Sequence, residues 1–139
     1  MRKLFVLMAV CGLIAMPARS QEKKSGKTYV LKAARMLEEG AIEKVGPLLW
    51  KSHAGLRDEY EVSSVELDAL VEIAHQVPGV LGARMLGGGF GGSTINLVRN
   101  EAVEALRQAV NNQYPSRTGL QANFDTCKAA GGPGNSWVN

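Results

Sequence analysis

A glycine-rich segment between two apolar runs constrains the fold of this chain more than any other feature. The segment GGGFGG, residues 87–92, places five glycines around a single aromatic residue, Phe90. Ordering so much glycine costs conformational entropy, so the segment must make a turn or bring bare backbone close to another group. Residues 93–98 alternate and are rich in β-branched side chains, which predicts a strand. With residues 80–85 before it, the segment is predicted to join two strands.

A nucleotide-binding loop is the first functional hypothesis for this segment. Gly87, Gly89 and Gly92 match the spacing G-x-G-x-x-G of dinucleotide-binding loops. Such a loop opens a helix whose N terminus holds the pyrophosphate, whereas a strand is predicted here. A Walker A loop needs a lysine before its hydroxyl residue, and here Gly92 precedes Ser93. Both nucleotide motifs therefore fail, which leaves either a loop that closely approaches a ligand or another loop, or a wide hairpin without a ligand.

Length and charge limit the remaining classes of function. A chain of 139 residues predicts one domain at most. Three of its 16 basic residues lie in the first 20 positions, where no acidic residue occurs, and the remaining chain is balanced in charge. Nothing in that balance indicates nucleic acid or an anionic membrane as a partner.

Residues 1–20 have the three parts of a secretory signal peptide. Residues 1–3 are basic at two positions, residues 4–16 are an apolar run too short to span a membrane, and small residues stand near the end of the segment. We therefore expect cleavage after Ser20 and export to the periplasm or the medium. The mature chain would then keep only Cys127 and form no intrachain disulfide. A misassigned gene start or a chimeric gene would give the same pattern in a cytoplasmic protein.

Hydrophobic periodicity divides the remaining chain into helices and short strands. Residues 21–28 are polar and predict a linker, and residues 133–139 predict a loose tail, on either side of a domain at 29–132. Helices are predicted at 29–39, 42–56, 63–77 and 101–112, and a last short strand at 120–128. Ser63 and Glu66 fit a capping box at the third helix. This order of elements predicts an α+β fold with a mostly antiparallel sheet.

Two longer segments carry a family resemblance: LLWKSHAGLRDEYEVSSVELDALVEIA and GVLGARMLGGGFGGSTINLV. The pair Ser52-His53, the turn 58–63, the triplet 66–68 (Glu-Leu-Asp) and the loop 87–92 occur in the order and at the intervals of the C-terminal part of galactokinases. The chain therefore resembles that family, which belongs to the GHMP kinase superfamily, over about residues 29–132. The resemblance implies a ferredoxin-like C-terminal domain with helices packed on a small sheet.

The resemblance also implies a role for the glycine-rich loop. In this superfamily the loop lies against the active-site cleft and supports the phosphate and substrate site, which the N-terminal domain mainly forms. The loop residues it indicates are Gly87, Gly88, Gly89, Phe90, Gly91, Gly92 and Ser93, the last in place of the family's usual cysteine. Arg84 adjoins the loop in sequence and is a candidate phosphate contact. By resemblance, the complete enzyme phosphorylates galactose at O1 with ATP and Mg²⁺.

Other parts of the family's kinase site have no counterpart in this sequence. They are the N-terminal sugar-binding signature, the phosphate-binding loop, the catalytic aspartate with its neighbouring arginine, and the acidic metal ligand. Phosphoryl transfer depends on positioning and charge neutralisation by such groups. We therefore predict no catalytic residue and no metal ligand in this chain, and no turnover by it alone. Three hypotheses remain: an enzyme part completed by a separate N-terminal kinase domain, an exported non-catalytic binding domain on a recycled kinase scaffold, and a gene remnant.

Four further side chains could carry chemistry, and each has a plainer explanation. His53 and His75 could act as bases or ligands, but lone helical histidines are expected to be structural. Asp68 and Glu72 share a helix face and could bind Mg²⁺, but a solvated outer face is the usual reason for such a pair.

At Gly89, valine is expected to disturb docking of an N-terminal partner more than the fold of the domain itself.

Overall fold

The computed structural model describes residues 4–6 and 26–127, which form an α+β arrangement. Its elements in chain order are β1 (Leu4–Val6), α1 (Gly26–Glu38), α2 (Val45–Asp58), α3 (Val65–Gln76), β2 (Val80–Met85), β3 (Thr94–Arg99) and α4 (Val103–Thr118). Short 3₁₀ turns at Ile42–Lys44 and Asn100–Ala102 lead into α2 and α4. The predicted class, helices packed on a small antiparallel sheet, is confirmed.

The sheet has the strand order β1-β3-β2, and both pairings are antiparallel. β2 and β3 are the two strands predicted around the glycine-rich segment, and the bounds of β2 agree with the prediction. Met85 pairs with Thr94 at the loop end of this hairpin, and a bulge lies between Val80 and Gly82 at its other end. The hairpin therefore holds both ends of the loop in a fixed register.

The core lies between the sheet and helices α3 and α4. Its buried members include Ile73 of α3, Ala83 of β2, Val98 of β3 and Val110 of α4. These residues come from the apolar stripes of the helices and from the faces of the strands that the helices cover, as the periodicity predicts. None of the helices within residues 26–127 is long and apolar enough to cross a bilayer.

Helix α2 packs on β2 through two glycines. A Cβ atom added to Gly46 would lie 1.9 Å from the carbonyl oxygen of Leu81, and one added to Gly82 would lie 2.4 Å from that of Gly46. The two backbones are thus in direct contact, which leaves no room for a side chain at either position. This contact fixes the start of α2 against the strand that leads to the glycine-rich loop.

Several local predictions are corrected by the structure. Ser64, rather than Ser63, caps α3 by accepting a hydrogen bond from the Leu67 amide at 3.3 Å. α4 runs beyond the predicted end through Pro115 and stops at Gly119, whose φ is +74°. α1 begins at Gly26, inside the predicted linker.

The segment predicted as a last strand forms no strand over residues 120–127. Its apolar side chains Ala122 and Phe124 instead pack against the core from an irregular backbone. The outer edge of β3 is paired with β1 at residues 97–99. Residues 128–139, with the predicted tail, and the part of the predicted signal segment beyond Leu4–Val6 lie outside the described residues.

Candidate functional site

The glycine-rich loop spans residues 86–93 between β2 and β3. The Leu86 amide donates to the Ser93 carbonyl at 2.8 Å and closes the base of the loop. The backbone then passes through the left-handed region at four glycines, with φ values of +81° at Gly87, +94° at Gly89, +124° at Gly91 and +111° at Gly92. L side chains rarely adopt these conformations, so the path of the loop itself requires glycine.

One glycine of the loop packs against a second turn of the same chain. A Cβ atom added to Gly89 would lie 2.0 Å from the Val62 carbonyl oxygen. That same oxygen accepts a hydrogen bond from the Phe90 amide at 2.8 Å. The loop is therefore anchored on the turn between α2 and α3. Because this contact is internal to the chain, we expect valine at Gly89 to disturb the domain's own fold as well as the docking of a partner.

The other glycines face open space. Cβ atoms added to Gly87, Gly88, Gly91 or Gly92 would meet no atom within 4 Å. Phe90 as a whole residue is 79% exposed within the loop. We call these five residues the loop face. It presents bare backbone and one aromatic ring to whatever lies outside this domain.

His53 connects the base of the loop to two helices. Its side chain is buried on α2, and its Nδ1 accepts a hydrogen bond from the Met85 amide at 3.2 Å. Nε2 lies 3.1 Å from Asp68 Oδ1 on α3. A backbone amide nitrogen can only donate a hydrogen bond, so Nδ1 is the unprotonated ring nitrogen. Nε2 therefore carries the proton of the neutral ring and donates a hydrogen bond to Asp68. Ser63 Oγ donates to the same carboxylate oxygen at 2.6 Å.

This network places His53, Ser63 and Asp68 in structural roles. The contacts of His53 with Met85 and Asp68 agree with a structural role, which stays a prediction. Asp68 is a half-buried acceptor and not part of a solvated outer face. Glu72 pairs with Arg117 at 3.2 Å, so the two carboxylates have separate partners. Within residues 26–127, no cluster of three or more His, Cys, Asp or Glu side chains could hold a metal ion. The ring of His75 packs edge-on against Trp50, with 4.7 Å between the ring centroids.

Burial sets the protonation state of His53. Desolvation lowers the pKa of His53 below its ordinary value, although the Asp68 carboxylate acts in the opposite direction. Arg57 and Arg84 also disfavour the imidazolium ion. A second ring proton would in addition face the Met85 amide, so protonation breaks the link between α2 and the base of the loop.

We expect the stability of the intact chain to fall as the pH drops below about 6.5, the ordinary pKa of histidine. Below that pH the unfolded chain binds a proton at His53 that the folded chain resists, so the free energy of unfolding decreases by at most about 1.4 kcal/mol per pH unit from this group. Urea unfolding over a pH series measures the slope. His53→Gln should flatten this part of it and His75→Gln should retain it. An unchanged slope in His53→Gln would contradict the assignment.

Arg84 lies on β2, one residue before Met85, whose amide donates to His53. Its Nε donates to the Met85 carbonyl at 3.0 Å, and partial burial lowers the pKa of the guanidinium. Among the described residues, no carboxylate forms an ion pair with it. A partly buried cation beside the loop has lost some of its hydration and would gain from an anionic partner. This agrees with the predicted phosphate contact at Arg84, which stays a prediction.

Residues 33–116 match the family model described as GHMP kinases C terminal. The chain belongs to this family. It is 45% identical over 103 residues to the galactokinase of Limosilactobacillus fermentum, a match that covers 74% of this chain and 26% of that protein. The resemblance to galactokinase C-terminal domains that the sequence predicts is thereby confirmed.

Two solved structures show the same fold. The structure of Lactococcus lactis galactokinase complexed with galactose superposes with a TM-score of 0.68 at 44% identity and covers 72% of this chain and 26% of that one. The L. major mevalonate kinase in complex with R-mevalonate matches with a TM-score of 0.58 at 24% identity, over 65% of this chain and 27% of that one, and supports the fold alone. This chain thus spans about a quarter of the length of the relatives it matches.

The sequence indicated the loop but not its supports. Val62 and Met85 hold the loop through a backbone carbonyl and a backbone amide, for which no side-chain pattern exists. The pair Ser52-His53 and the triplet at 66–68 did mark two of the segments that meet beneath the loop. Their connection through His53 and Asp68 became visible only in the structure.

Proposed function

We propose that this chain supplies the glycine-loop wall of a galactokinase-type active site. The observation that carries the proposal is the loop face. Four glycines there keep open space on one side, while Gly89 and His53 fix the loop from beneath. A backbone surface held by these contacts suits a wall against which another domain places a phosphate or a sugar. The similarity to galactokinases supports galactose and ATP with Mg²⁺ as the substrates of the completed enzyme.

The chemistry of the described residues agrees with a supporting role. Transfer of a phosphoryl group needs a metal, cationic side chains and a phosphate-binding loop arranged around the reacting atoms. At Met85, beside the base of the loop, this chain offers Arg84 as a cation, and the nearby carboxylate of Asp68 is already engaged by His53. We therefore infer that the chain does not phosphorylate galactose alone and acts with a separate N-terminal kinase domain.

Complementation tests this proposal. The intact chain is co-expressed with the N-terminal part of the Limosilactobacillus fermentum galactokinase, and formation of galactose 1-phosphate is measured with ATP and Mg²⁺. Activity is expected from the pair and from neither part alone. Turnover by this chain alone, above a boiled control, would refute the inference that the chain is inactive without a partner. Absence of activity in a pair that forms a stable complex would refute the role as a completing wall.

An exported, non-catalytic binding domain is the alternative, and the apolar run at 4–16 favours it. This alternative requires removal of residues 1–20 and therefore of the strand Leu4–Val6. Mass spectrometry of the protein made in a secreting bacterium distinguishes the two. A mature N terminus at Gln21 in the exported fraction supports the alternative, and retention of residues 4–16 in a cytoplasmic product contradicts it.

A further inference from the structure

The outer edge of β3 is occupied by the first residues of the chain. Leu4 pairs with Arg99, Phe5 with Val98 and Val6 with Leu97 in an antiparallel register. These three residues belong to the apolar run that also fits a signal peptide. The same residues cannot both be discarded during export and remain in the sheet of the folded domain.

The hydrogen-bond direction along β3 identifies which of these three residue pairs is hydrogen-bonded. The Arg99 amide donates to the Gly79 carbonyl at 2.9 Å, so the backbone of Arg99 faces the β2 side. Backbone groups alternate along a strand, so the amide and carbonyl of Val98 face β1. Phe5 and Val98 therefore form a hydrogen-bonded pair, whereas the backbone groups of Val6 point away from β3.

The edge that this strand covers borders the core. Leu97 and Val98 are only 4% and 6% exposed. A strand edge without a partner presents unpaired amides and carbonyls to other chains, and folded proteins commonly cover such edges. A short strand that runs beside these two residues gives the backbone groups on this edge hydrogen-bond partners and keeps other chains from pairing with it.

We propose that Leu4–Val6 is an integral edge strand of the folded domain, retained in the functional protein. The occupant of the β3 edge is then the chain's own N-terminal segment. The proposal does not depend on the galactokinase-type function, because it concerns the folding of the domain and is tested without an activity assay.

Amide hydrogen exchange of the intact chain tests the strand directly. Phe5→Pro removes the amide that faces β3, and Val6→Pro removes one that faces away, so the two form a matched pair. The Val98 amide is expected to exchange at least tenfold faster in Phe5→Pro than in the wild type and to change little in Val6→Pro. The Arg99 amide, bonded to Gly79, is expected to keep its protection in both.

Disulfide trapping gives a second measurement that does not rely on proline. Leu4 and Arg99 are directly opposed in a non-hydrogen-bonded pair, whose Cα atoms are typically about 4.5 Å apart and within reach of a disulfide. In a chain with Cys11→Ser and Cys127→Ser, the double variant Leu4→Cys/Arg99→Cys is expected to form an intramolecular disulfide on oxidation. The control Leu4→Cys/Ile95→Cys places the second cysteine four residues away and is expected not to.

Four results would overturn the proposal. They are an unprotected Val98 amide in the wild-type chain, equal effects of the two proline variants, protection of Val98 that rises with protein concentration, and disulfides that link two chains. The last two would assign the edge to a second copy. If Phe5→Pro fails to fold, the disulfide pair decides the question.

Discussion

Replacement of Gly46 by alanine is expected to destabilise the domain by about 2–3 kcal/mol and to lower its melting temperature by about 10 °C. The new Cβ would lie 1.9 Å from the Leu81 carbonyl oxygen and 3.1 Å from the Leu81 Cβ. The nearer atom, the carbonyl oxygen, belongs to the backbone of strand β2. It cannot rotate away as a flexible side chain would. Helix α2 must therefore move off β2, which separates His53 from the Met85 amide. Calorimetry or urea unfolding of the intact chain measures the loss.

Gly55→Ala is the matched control, because it lies in the same helix and its added Cβ meets no atom within 4 Å. Alanine there is expected to stabilise the chain by about 1 kcal/mol through its higher helix propensity. If Gly46→Ala were as stable as the wild type, the direct backbone contact between α2 and β2 would be refuted.

Replacement of Gly88 by valine is expected to reduce complementation with an N-terminal kinase part roughly 100-fold, because a branched side chain would displace the reacting groups by about 1 Å or more. The melting temperature of the chain is expected to stay unchanged, since a Cβ at Gly88 meets open space and its φ is not in the left-handed region. Formation of galactose 1-phosphate and thermal unfolding are measured on the same preparations.

Gly89→Val separates the loop face from the anchor of the loop. It is expected to lose both complementation and about 1–3 kcal/mol of stability, because φ is +94° and the Val62 carbonyl leaves no space. Gly55→Ala, whose added Cβ meets no atom within 4 Å, should complement like the wild type. A Gly88→Val chain that complements fully would show that the loop face does not form the wall, and the loop would then be a hairpin turn.

Local patterns in the sequence determined the elements that carry the loop. Period-two alternation and β-branching placed β2 and β3 to within one residue at each end, and glycine content indicated the irregular path between them. Apolar stripes placed the centres of α2, α3 and α4. Each of these signals depends on neighbours a few residues apart, which is why a sequence alone can show them. The spacing of several motifs then indicated the family.

Contacts between distant residues were decided only by the tertiary structure. The sequence could not show that Gly89 meets the Val62 carbonyl, that His53 joins Asp68 to the Met85 amide, or that Leu4–Val6 pairs with β3. Residues 120–127 have a strand-like pattern but pair with no strand, because strand formation requires a free ladder partner as well as local propensity. Backbone groups make most of these contacts, and every residue type carries the same amide and carbonyl, apart from proline, which lacks the amide. Their partners therefore follow from where the packed helices bring the chain and not from which residues it contains.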